Sequence, residues 1–141
     1  MDASLYDAGI SLLHPHAANW FMNGKVPGRS GNAHPNIYPY DVVSTGTSPI
    51  FLAVGNDRQF RLMCKHLGQD ELADDPRYAT AGQRSVHRAE LKPLLETAFS
   101  ALDGVKLAEE LMDIGVPAAP VLNVEQALQA PHTQHRELVV K

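Results

Sequence analysis

The stretch Asp41–Gly68, DVVSTGTSPIFLAVGNDRQFRLMCKHLG, changes its hydrophobic period midway, and that change sets the fold class. Asp41 to Thr45 and Ile50 to Val54 are short β-type runs around Gly46, Thr47, Ser48 and Pro49, which predicts an antiparallel hairpin. Ile50 to Val54 is apolar on both faces, so this strand is expected to be the buried one. After Asn56 the spacing lengthens: Phe60, Met63, Cys64 and Leu67 stand at i, i+3, i+4 and i+7. That is one face of a helix, with Asn56 as its N-cap and Gly68 closing its C-terminus. A hairpin leading into an amphipathic helix implies an α+β domain, a small antiparallel sheet packed with several helices.

Towards the C-terminus, Leu72 to Tyr78 reads as an acidic link around Asp74, Asp75 and Pro76. A helical region follows with Leu91, Leu94, Leu95, Ala98 and Leu102 on one face and a bend expected at Pro93. Leu107, Leu111 and Ile114 mark a further helix ended by Gly115, and Pro117 to Leu122 can form a strand whose prolines suit an edge. Asn123 with Gln126 suggests a capped short helix. Leu138 to Val140 is a β-type run at the chain's end.

Towards the N-terminus, Asp2 or Ser4 can cap a long helix carrying Leu5, Ala8, Leu12 and Leu13. The pattern resumes through Ala17, Ala18, Trp20 and Phe21 and stops at Gly24, with Pro15 forcing a kink or break. Lys25 to Pro39 is rich in Gly, Pro and Asn and reads as a long loop. Within it Gly31 permits positive φ, Asn32, His34 and Asn36 carry polar groups that need partners, and Pro35 and Pro39 stiffen the backbone. An ordinary connecting loop packed on its own domain is the competing reading.

The 141 residues suffice for one domain with a core. The net charge of -4 and the scattering of the 12 Lys and Arg argue against a nucleic-acid partner. Apolar stretches are interrupted within a few residues and no basic leader precedes one, so neither a membrane span nor a signal peptide is expected. The single cysteine excludes a disulfide within the chain and fits a cytoplasmic location.

Among the seven histidines, His14 and His16 point to different helical faces, while His132 and His135 could share one. Neither pair has an evident third ligand, so no metal site is assigned. Cys64 lies on an apolar helix face and reads as a buried thiol. Asp70, Glu71, Asp74 and Asp75 read as a solvated link between helices.

Several blocks in order resemble the family III coenzyme A transferases. They are Gly31-Asn-Ala-His-Pro-Asn36, Pro39-Tyr-Asp-Val42, Ile50 to Phe60, Leu67-Gly68, Leu72 to Thr80, and Gly115 to Val121. The opening Asp2 to Ala8 is similar to the helix that leads from that family's large domain into its small one. The resemblance implies a division into residues 1–24, a helix arriving from a large domain, 25–40, the loop, 41–130, the small α+β domain, and 131–141, a segment returning to the large domain.

In this family an aspartate of the large domain attacks an acyl-CoA thioester and passes through an aspartyl-CoA intermediate, and its dimers are interlocked. None of Asp2, Asp7, Asp41, Asp57 or the later aspartates matches the motif of that aspartate, so no catalytic residue carries over. Some members have a mobile glycine-rich loop over the active site at the segment matching Gly31–Asn36. Here only Gly31 keeps that character, and His34-Pro35 implies a stiffer loop.

The resemblance therefore assigns Gly31, Asn32, His34, Pro35 and Asn36 to an active-site loop. It implies coenzyme A and acyl-CoA as substrates of the whole enzyme, no permanently bound cofactor, and a homo-oligomer. The expected function is part of an acyl-CoA:carboxylate CoA-transferase, inactive alone. A non-catalytic binding or oligomerisation module and a fragment of an α-methylacyl-CoA racemase remain as alternatives.

Overall fold

The computed structural model describes residues 4–139. Its centre is a sheet of three antiparallel strands, β1 (Tyr40–Val43), β2 (Ile50–Ala53) and β3 (Ala118–Pro120), in the order β1-β2-β3. The hairpin expected from Asp41–Val54 pairs Tyr40 with Ala53 and Val43 with Ile50. β2 is central, as its apolar composition requires, although its two faces differ. Ile50, Leu52 and Val54 are sealed from solvent, while Phe51 and Ala53 are half-buried.

Helix α3 (Asp57–His66) follows, and the Asn56 side chain accepts the Gln59 N–H at 2.9 Å to cap it. Phe60, Met63 and Cys64 enter the core from this helix. The acidic segment is not a plain link: Asp70–Asp74 forms a one-turn helix, α4, because Leu72 and Ala73 pack against the core while the acids stay in water. Next come α5 (Ala81–Val86), capped by Thr80, and α6 (Arg88–Phe99), which accommodates Pro93. Leu91, Leu95 and Phe99 are buried, whereas Leu94 lies outside the face expected for it and is exposed.

Helix α7 (Gly104–Asp113) buries Leu107, Ala108 and Leu111 and packs on β2 and β3. Its start meets the hairpin turn closely. Gly46 N–H donates to Leu102 O at 2.8 Å, and Thr47 Oγ1 accepts the Gly104 N–H at 3.0 Å. A Cβ on Gly104 would collide with Ser48 O and lie 2.8 Å from Thr45 Oγ1, so only glycine fits at this crossing.

Asn123 and Gln126 form the expected capping box of α8 (Val124–Gln129), and α9 (Pro131–His135) follows. Leu138 and Val139 are not in a strand, since no described strand pairs with them to supply a ladder; Val140 lies outside the described residues.

At the N-terminus the long helix is divided, as Pro15 requires, into α1 (Leu5–Ser11) and α2 (His16–Asn23). Ser4 caps α1, with its Oγ accepting the Asp7 N–H, and Gly24 ends α2 at φ +68°. The alternative cap, Asp2, lies outside the described residues. Neither helix buries a residue. The core is thus the sheet sealed by α3, α6 and α7, each fully buried Leu, Ile or Phe contributing about 1.5–3 kcal/mol.

Candidate functional site

The Gly31–Asn36 loop is closed by the His34 side chain on its own backbone and by the Asn36 side chain on α2. Gly31 takes φ +64°, the left-handed conformation open to glycine. Two residues past the turn, the His34 N–H donates to Tyr40 O at 2.9 Å, tying the loop to β1. The His34 ring turns back on the chain: Nδ1 accepts N–H groups from Asn36 at 3.1 Å and Ile37 at 3.2 Å. Its ring packs 5.1 Å from that of Tyr40, which meets Phe51 edge-on at 5.6 Å.

Two further elements pin the loop from outside. The Asn36 side chain exchanges a pair of amide hydrogen bonds with Asn19 of α2, at 3.1 and 2.9 Å. Arg88, the first residue of α6, donates from one terminal nitrogen to His34 O at 2.8 Å and Ile37 O at 3.1 Å. Its guanidinium also covers the Tyr38 ring, 5.2 Å from the centroid. The His34 and Ile37 carbonyls are thereby satisfied without a strand or helix. Burial, chiefly, pushes the Tyr38 phenol far above its usual range.

Below the loop sits Arg84, fully buried on α5. Its Nε donates to Tyr38 O at 3.1 Å, one terminal nitrogen to Tyr78 O at 2.9 Å and the other to Asp57 at 2.9 Å. The plane lies 4.5 Å from the Phe60 centroid. A guanidinium matches this fork of acceptors, which lysine cannot. Desolvation lowers its pKa against the opposing pull of Asp57.

The structure thus brings His34 and Asn36 together with Asn19, Arg88 and Tyr40. Gly31 and Asn32 are exposed at the turn, and Pro35 is half-buried beside it. Asn19, Arg84 and Arg88 carry no motif of their own; what identifies them is the distant partner each reaches, the Asn36 side chain for Asn19 and backbone carbonyls for the two arginines.

The remaining sequence candidates are dispersed. Cys64 is buried, and burial pushes its thiol up to about 12, so it is not a thiolate at neutral pH. His132 and His135 are both on α9 and exposed. Among the described residues no group of three or more His, Cys, Asp or Glu is placed to hold a metal. No helix among them is long and apolar enough to cross a membrane.

Two of several concavities flank the domain's helices. One, of about 430 Å³, lies between the ends of α3 and α6 and the start of α7, where His66 and Glu110 pair at 2.9 Å. The other, of about 500 Å³, is lined by Ile10, Leu13, Ala17, Trp20, Phe21 and Val26, together with His16 and Pro27. The second is apolar and lies on helices that bury no residue fully within the chain.

A small three-stranded α+β lobe with a pinned polar loop on one side and an uncovered helical face is the architecture to be matched. The family model described as CoA-transferase family III matches residues 1–141, and the chain belongs to that family. It is 39% identical over 140 residues to the succinate–glutarate CoA-transferase of Agrobacterium fabrum, covering 99% of this chain and 35% of that protein. It is 33% identical over 141 residues to the acetyl-CoA:oxalate CoA-transferase of Acetobacter aceti, covering 100% of this chain and 36% of that one. The crystal structure of a CAIB/BAIF family protein from Brucella suis superposes with a TM-score of 0.82 at 39% identity, over 97% of this chain and 36% of that chain. The chain therefore spans about a third of the length of these relatives.

Proposed function

We propose that these residues form the small domain of an acyl-CoA:carboxylate CoA-transferase, which moves coenzyme A between an acyl-CoA and a free carboxylic acid. The match of one family across residues 1–141 carries this reading. Coenzyme A and acyl-CoA are substrates, and the names of the relatives favour a dicarboxylate as acceptor. The pinned loop Gly31–Asn36 lines the reaction space and supplies shape and polar groups.

The nucleophile is an aspartate outside these residues. Its carboxylate attacks the thioester carbonyl and expels the CoA thiolate, which then attacks the aspartyl carbonyl of the mixed anhydride, releasing the first acid and leaving aspartyl-CoA. In support, Asp57 is tied to Arg84, Asp75 to Arg77, and Asp103 to the first turn of α7. The lone, buried Cys64 suits a cytoplasmic setting.

A chimera in which these 141 residues replace the matching third of the Agrobacterium fabrum relative tests the reading. It is expected to transfer CoA between succinyl-CoA and glutarate, while the 141-residue chain alone is not. A folded chimera that transfers no CoA, or turnover by the isolated chain, would overturn it. The uncovered helices α1 and α2 favour one companion reading, that the chain also associates with itself.

A further inference from the structure

The His34 ring nitrogen that closes the loop has one lone pair and faces two donors. Asn36 N and Ile37 N approach Nδ1 at 3.1 and 3.2 Å, and backbone amides can only donate. In the ordered loop Nδ1 is therefore bare, and the neutral ring keeps its proton on Nε2. A proton on Nδ1 would set donor against donors and remove both bonds that close the turn.

The surroundings oppose that proton. The Arg88 guanidinium reaches in from α6 to the carbonyl of His34 itself at 2.8 Å. His14 and His16, on either side of Pro15, also act against a charge on the ring, and the Tyr40 ring packs on it from β1. The charged groups acting on His34 are thus basic, with no carboxylate among them.

We propose that His34 is the positioning residue of the Gly31–Asn36 loop, ordering it as the Nε2-protonated neutral imidazole and releasing it when Nδ1 takes up a proton. Burial first, then Arg88, His14 and His16, hold its pKa below the ordinary 6.5. A released loop has the higher proton affinity, so the order is fully present above 6.5 and is lost as the pH falls below that value. The residues from Tyr38 onward stay in place, because Arg84 and the sheet hold them through bonds in which the His34 ring takes no part. Loop order is a property of this chain; any effect of acid on CoA transfer rests on the function proposed above.

Nitrogen-15 NMR on the 141-residue chain tests this without an assay of activity. Long-range proton–nitrogen spectra of the imidazole are expected to show Nε2 protonated and Nδ1 bare at about pH 8. Backbone order parameters at Asn36 and Ile37 are expected to fall from about 0.85 to below about 0.6 as the ring protonates, with Val43 and Leu52 unchanged. In His34→Asn the side-chain oxygen can accept the N–H two residues on and does not titrate, so the loop is expected to stay ordered into acid. A ring protonated at Nδ1 at high pH, order unchanged across the titration of His34, or the same acid transition in His34→Asn would overturn the proposal. Because the tautomer is read on the unsubstituted chain, a misfolded variant does not shield the idea from refutation.

Discussion

Arg84 joins three parts of the chain through one planar group: the Tyr38 carbonyl at the entrance to β1, the Tyr78 carbonyl before α5, and the Asp57 carboxylate at the start of α3. Truncating it strands two buried carbonyls and leaves Asp57 without its partner. Arg84→Met is expected to lower stability by about 3 kcal/mol, read as a reduced midpoint in urea with an unchanged slope. Arg84→Lys is expected to recover less than half of that loss, since an ammonium cannot span the fork. None of this was legible locally: Arg84 and Tyr38 are 46 residues apart, and Arg88 and His34 are 54 apart. By contrast, that His34 and Asn36 need hydrogen-bond partners was readable, because a loop held by Gly31 and Pro35 leaves its polar side chains few places to go. Their partners were not.

At the level of elements, α3 was readable because cap, period and stop signal agree within one short stretch, and α8 was readable from its capping box alone. Asn123→Ala removes the oxygen that accepts the Gln126 N–H at 2.9 Å. The expected cost to α8 is about 1 kcal/mol, seen as faster amide exchange in residues 124–129. Since α8 buries no side chain, the urea midpoint of the domain is expected to stay where it was. The hairpin was legible for the same reason as α3, a β-type run on each side of Gly46 and Pro49. What escaped were elements decided by tertiary contact. α4 exists because Leu72 and Ala73 find the core, Leu94 turns outward because α6 buries only Leu91, Leu95 and Phe99, and Leu138–Val139 has no described strand beside it. Propensity speaks for each segment alone, and these segments answer to neighbours.

Across the whole molecule the apolar surface is unevenly placed. Leu5 is 93% exposed and Phe21 78%, while Ile50, Leu52 and Leu111 are sealed. An uncovered face of this kind promotes association. The chain is expected to elute as a dimer or larger species, and Leu5→Glu with Phe21→Glu to shift it towards monomer without loss of helicity. A stable monomer that binds no apolar dye would count against that expectation.

The sheet itself offers no such route on one side. Ala53 N–H donates to Pro117 O and Val121 N–H to Pro49 O, so residues 117, 119 and 121 bond inward to β2 and residues 118 and 120 turn their backbone outward. At Pro120 the outward nitrogen carries no hydrogen. A fourth strand arriving there would find a gap in the ladder, so the β3 margin resists templating by foreign polypeptide, and growth into fibrils from that border is disfavoured by covalent structure itself.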